Sequence, residues 1–164
     1  MVKDTIVRIV LLSVLALLQQ YAVSRFVVFG AFPDLLTVFI VFVALRTGQK
    51  QGMTYGFAAG LATGVLGGDI GITTLAKTLE GFVAGYFHIP EDSHASTHQK
   101  RRMFYKGVLL ASLTGRAVQA ASANVLALPP LWHVAYSVVL VTVFNMLIAV
   151  LAYQLFLKKI LANN

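Results

Sequence analysis

Residues 52–68 read GMTYGFAAGLATGVLGG, with glycine at every fourth position: Gly52, Gly56, Gly60, Gly64 and Gly68. In a water-exposed helix each glycine costs roughly 1 kcal/mol against alanine. Five at helical spacing are tolerated only where missing side chains bring a benefit. Inside a bilayer they do, because small residues let backbones approach closely where no hydrophobic drive holds helices together. Four residues turn a helix by about 400°, so the bare strip winds slowly around the axis. The strip predicts a helix that docks against another helix, within the bundle or on a partner.

Composition sets the environment. Of 164 residues, 58% are apolar and 12% charged, and the mean hydropathy is +0.79. A soluble domain is about 45–50% apolar and about 25% charged. An integral membrane protein is expected. The chain has no cysteine, which excludes disulfides and thiolate metal sites. Its net charge of +7 reflects basic loops on one side of a membrane and does not point to nucleic acid.

Outward from the glycine strip, six hydrophobic segments appear at about 6–24, 26–45, 52–68, 70–87, 104–126 and 132–157. Each is near the ~20 residues that cross about 30 Å of hydrocarbon. The expected fold is all-α, a single domain over residues 1–164 built as a bundle of six transmembrane helices. Ala22-Val23-Ser24 loosely fits a leader cleavage pattern, but the first segment is read as a span. With both termini cytoplasmic, the inside carries Lys3, Arg8, Arg46, Lys50, Lys100, Arg101, Arg102, Lys106, Lys158 and Lys159, ten of 13 basic residues. Arg25 stands at an outer loop, and Lys77 and Arg116 fall inside the membrane. That asymmetry fits the positive-inside bias.

Intramembrane charges are costly, at least ~2.5–3.5 kcal/mol each, so they should face protein and pair. Lys77 and Glu80 are three apart and share a helix face. At ~1.5 Å per residue, Lys77 lies about 10 Å and Glu80 about 15 Å below the outer face, with Arg116 about 12 Å below it. The depths predict a Lys77–Glu80–Arg116 cluster with one positive charge to spare. Three roles fit it: a structural pair, a proton or ion relay, or a partner contact. At the outer face, Pro33 and Asp34 suit a first helical turn, where proline loses no needed N–H and the acid meets the positive end of the helix dipole; Asp34, opening toward the outer leaflet, is also a candidate site residue. A helix from Phe26 would make Pro33 a kink. Gly67-Gly68-Asp69-Ile70-Gly71 reads as a tight outer turn with Asp69 as N-cap.

The polar stretch 88–103 holds Glu91, Asp92, His94 and His98 and is expected to be a solvated cytoplasmic loop. Its basic end and Lys106 would meet anionic headgroups of membrane lipids or an acidic partner. Trp132 and Tyr136 suit interface anchors, and Asn145 suits a helix–helix hydrogen bond. No nucleophile elbow, P-loop or zinc-protease motif occurs, so no enzyme, metal or cofactor is expected.

The run PDLLTVFIVFVALRTGQKQGMTYGFAAGLATGVLGGDIGITTLAKTLEGFVAGYF, from Pro33 to Phe87, resembles the MreD family of bacterial rod shape-determining proteins. The resemblance rests on Pro33-Asp34-Leu35, Arg46, the glycine helix, Gly68-Asp69-Ile70-Gly71, Leu75, Lys77, Gly81-Phe82 and Ala84-Gly85. It implies a non-enzymatic scaffold of the cell-elongation machinery in the bacterial inner membrane. Its implied partners are MreC, RodA, a class B penicillin-binding protein and, indirectly, the actin-like MreB. It also implies a fold similar to the substrate-capture subunits of energy-coupling-factor transporters. The alternative is therefore a substrate-binding subunit of a vitamin transporter, although Ala16 and Ala22 on the first helix are six apart and do not form that family's docking face.

Overall fold

The computed structural model describes residues 2–25, 33–90, 95–122 and 130–157. Six α-helices follow one another: α1 Val2–Tyr21, α2 Leu35–Thr47, α3 Gln49–Gly67, α4 Ile70–Gly85, α5 Thr97–Ser122 and α6 Pro130–Ala152. A 3-10 turn, Val23–Arg25, follows α1, and a π-helical turn, Tyr153–Leu157, extends α6. No strand occurs among the described residues.

The central post is α2. It touches each of the other five helices, and Leu36 through Val41, then Val43, Ala44 and Leu45, are buried. A helix apolar on all sides has to be enclosed. One side packs Leu36, Phe39, Ile40 and Val43 against Leu12 and Ala16 of α1 and Tyr55 and Ala59 of α3. The other packs Val38, Val41 and Leu45 against Ala84, Phe104, Val108, Ala111, Ala149 and Tyr153. The helix is shorter than expected: it starts at Leu35 rather than Phe26, because Asp34 caps it and its Oδ1 accepts the Thr37 N–H at 3.3 Å. Pro33 therefore precedes the cap and lies neither in the first turn nor at a kink. Residues 26–32 lie outside the described set.

Gly48 alone separates α2 from α3. Its φ of 89° and ψ of 178° are open essentially to glycine, which permits a corner of one residue. At the far end of α3, Gly68 adopts the left-handed conformation at φ 79°, and the Asp69 N–H reaches back to Gly64 O at 3.0 Å, a Schellman-type stop. Gly68 thus ends the helix, and no atom lies within 4 Å of where its side chain would be, so it is not part of the packing strip. Asp69 stands at the N-cap position of α4 but makes no side-chain capping bond.

The other four glycines of the strip face α4. A Cβ on Gly52 would strike Gly81 O at 2.8 Å and Ala44 at 2.7 Å, one on Gly56 the Lys77 backbone, one on Gly60 the Thr74 backbone, and one on Gly64 Ile70 Cα at 2.7 Å. Reciprocally, Gly81 lies on the Gly52 backbone and Gly85 on Gln49. The α3–α4 hairpin is closed backbone to backbone.

α5 starts at Thr97, earlier than the expected 104. The cause is a capping box: the Gln99 N–H donates to Ser96 Oγ at 3.3 Å and the Ser96 N–H to Gln99 Oε1 at 2.9 Å. The basic run from Lys100 to Lys106 accordingly rides on a helix, not on a loop. The expected end of this helix at Leu126 and the outer turn at 127–131 fall largely on residues outside the described set.

Outside, the bundle is apolar. Ile6, Val10, Leu17 and Tyr21 of α1, Phe57, Leu61 and Val65 of α3, and Val139, Val143, Leu147 and Leu151 of α6 are exposed. By length and apolar composition alone, two helices qualify as membrane crossings, within Asp4–Tyr21 and Val138–Leu155.

Candidate functional site

The start of α2 is sealed inside the bundle. The first N–H groups of a helix have no partner within it, and an unpaired one in an apolar interior is costly. Here two other helices and the capping acid supply acceptors. The Asp34 N–H donates to Asn145 Oδ1 of α6 at 2.7 Å. The Leu35 N–H donates to Gln19 Oε1 of α1 at 3.0 Å, while Gln19 Nε2 donates to Pro33 O at 2.9 Å. The Thr37 N–H is held by Asp34 itself. Asn145 also donates from Nδ2 to Ser112 Oγ of α5 at 3.0 Å.

On this frame sits a charge cluster. Lys77 Nζ of α4 pairs with Asp34 Oδ2 and, at 2.9 Å, with Glu80 Oε2. It also donates to Thr37 Oγ1 at 2.8 Å, and the Thr37 hydroxyl donates to Glu80 Oε2 at 2.8 Å. Asp34 is 4% exposed, Lys77 3% and Glu80 1%. Arg116 Nη2 of α5 lies 3.7 Å from Asp34 Oδ2, and its Nη1 donates to Gln119 Oε1 at 2.9 Å. Glu80 fits against α5 only because residue 115 is glycine: a Cβ there would fall on the Glu80 carboxylate.

Of the expected group Lys77, Glu80 and Arg116, the first two pair directly, whereas Arg116 reaches Asp34 rather than Glu80. Asp34 brings the second negative charge, so two acids face two bases and the expected spare positive charge disappears. Of the residues assigned to an outer-face turn, Asp34 is in the cluster and Pro33 next to it. Asp69 and Gly71 are exposed at the α3–α4 turn, away from these contacts. Sequence reasoning did not single out Thr37 or Gln19. Thr37 was legible as the residue one turn beyond a capping acid. Gln19 was legible as an amide interrupting an apolar helix. Glu91, Asp92 and His94 lie outside the described residues, among which no group of side chains suited to a metal ion occurs.

Chemically, the arrangement ties five helices at one level. Losing one member of a buried ion pair costs about 3–5 kcal/mol, because its partner is left charged and unpaired. The cluster therefore locks the relative positions of α2, α4 and α5, with α1 and α6 attached through amides.

Fold and cluster together define an all-helical structural protein that is charged within and apolar without, the arrangement suited to a lipid surround. The model of one family, the rod shape-determining protein MreD, matches residues 3–156, and the chain belongs to that family. It is thus a membrane protein of bacterial cell-shape determination, in the setting of cell-wall elongation, and the family is one of structural proteins rather than enzymes. No curated protein and no solved structure matches the chain. The expected likeness to vitamin-capture subunits accordingly has no support among solved structures.

Proposed function

We propose that the chain is a six-span scaffold of the inner membrane, with both termini cytoplasmic. It holds the single transmembrane helix of MreC, keeps RodA and a class B penicillin-binding protein beside it, and meets the MreB filament indirectly through its basic cytoplasmic side. The observation that supports this reading is the division of the bundle's chemistry. Its interior charges and amides are engaged with one another across five helices, and its outer faces are apolar. Such a body acts by gripping neighbours from outside.

The packing glycines bear on where a partner docks. Gly52, Gly56, Gly60, Gly64, Gly81 and Gly85 are occupied by the α3–α4 contact, which leaves the outer apolar faces as the surface for a partner helix. The test is co-purification. The chain extracted in mild detergent is expected to retain MreC and to bind no vitamin by calorimetry. Release of MreC together with nanomolar capture of a small nutrient overturns the scaffold reading in favour of the transporter one.

A further inference from the structure

The beginning of α5 and the π-helical end of α6 border a half-open cavity of about 350 Å3, lined by Thr97, His98, Arg101, Tyr105, Tyr153 and Gln154. Because the capping box starts α5 at Thr97, His98, Arg101 and Tyr105 recur at spacings of three and four and line one helix face. The π-helical turn Tyr153–Leu157 is a local widening of a kind frequent at functional sites. Arg101 Nη2 lies 3.0 Å from His98 Nε2 at the exposed rim. The floor is aromatic: the rings of Tyr105 and Tyr153 are 5.7 Å apart, and buried Phe104 meets both in tilted contacts.

We propose that this cavity is a binding site for the phosphate headgroup of an anionic glycerophospholipid of the cytoplasmic leaflet. The proposal rests on the orientation given above, in which the start of α5 is cytoplasmic. A guanidinium presents a planar fork of donors that matches a phosphate bidentately. No acidic side chain is among the described lining residues. Below the rim, the aromatic floor accepts the glycerol and first acyl carbons, which a free inorganic anion lacks. The site also lies along the basic turns of α5, Lys100 to Lys106, and ends one turn before the buried apolar stretch at Val108 and Ala111. An amphiphile with a charged head and apolar stem sits at that level.

The experiment reconstitutes the full chain in nanodiscs of phosphatidylcholine with a minority of phosphatidylglycerol and weighs the released protein by native mass spectrometry. The wild type is expected to keep one phosphatidylglycerol. Arg101→Gln, an exposed position whose loss leaves the core intact, is expected to reduce retention roughly tenfold. Lys50→Gln removes the same charge from the start of α3 and is expected to retain the lipid. Equal retention by both variants, or equal loss, overturns the site as a diffuse charge effect. Displacement by glycerol phosphate at matched concentration overturns the lipid as its ligand. Neither readout involves MreC, so failure here is distinguishable from failure of the scaffold reading.

Discussion

Asp34 and Asn145 are 111 positions apart, yet the Asp34 N–H donates to Asn145 Oδ1 at 2.7 Å. That bond joins the first element of the central helix to the last helix of the bundle. Asn145 also holds Ser112, so one amide connects α2, α5 and α6. Replacing it by leucine leaves a buried N–H and a buried hydroxyl without partners, each worth about 1–3 kcal/mol. Asn145→Leu is expected to lower the thermal midpoint of the detergent-solubilised protein well below that of Ser112→Ala, which breaks only the Ser–Asn bond. Equal midpoints would show that the Asp34 N–H does not depend on Asn145.

The glycines divide by their surroundings. Gly56 has the Lys77 backbone where a methyl would go, and Gly71 has nothing within 4 Å. Overpacking a tight contact costs about 1–3 kcal/mol, whereas glycine to alanine at an open helical site gains about 0.4–1 kcal/mol. Gly56→Ala is expected to destabilise and Gly71→Ala to stabilise, read as opposite shifts in a fluorescence-detected melting curve. Gly60→Leu forces a far larger side chain into the same contact, against the Thr74 backbone, and should fail to fold. Its defect then arises inside the hairpin and not from losing a partner.

Spacing made the strip legible, but not its destination. Glycine carries no information about which helix approaches it, and here that helix is simply the next one, with Gly81 and Gly85 answering Gly52 and Gln49. Gly68 continues the four-residue series and serves a different end, because the chain has to reverse there and only a left-handed residue stops α3. Depth arithmetic brought Lys77, Glu80 and Arg116 to one level. It missed Asp34 because the apolar stretch from Phe26 reads as helix on composition alone, which moves Asp34 into the wrong turn. The Ser96–Gln99 capping box was present in the sequence as S-x-x-Q. The charged residues that follow it read as a loop by composition, which hides the box.

The charge cluster supports a prediction about coupling. Lys77 contacts both Asp34 and Glu80, while Arg116 is near Asp34 and has no direct pair with Glu80 among the described contacts. Double-mutant cycles isolate such pairwise terms. Asp34→Asn with Lys77→Gln is expected to show a coupling energy of about 1–3 kcal/mol, and Glu80→Gln with Arg116→Gln less than about 0.5 kcal/mol. The reverse order would place Arg116 on Glu80 and revive the three-member cluster that the sequence suggests.

The proposed six-span topology depends most on α3, whose glycines keep it from qualifying as a span by composition. Length argues otherwise. The 19 residues of α3 extend about 28 Å at 1.5 Å per residue, close to the ~30 Å of a hydrocarbon core. The low hydropathy also belongs to one side of the helix: the glycines face α4, while Phe57, Leu61 and Val65 point outward at the same four-residue spacing. A window average mixes a face that meets protein with one that meets lipid. Because the chain has no cysteine, single cysteines report sidedness without background. Asp69→Cys is expected to react with an impermeant maleimide in intact spheroplasts. Lys50→Cys and Arg102→Cys, exposed at the start of α3 and in the basic turns of α5, should react only after lysis. Labelling of Lys50→Cys and Asp69→Cys from the same side would mean that α3 does not cross, and the Gly52–Gly64 strip would then close a hairpin lying at one surface of the membrane.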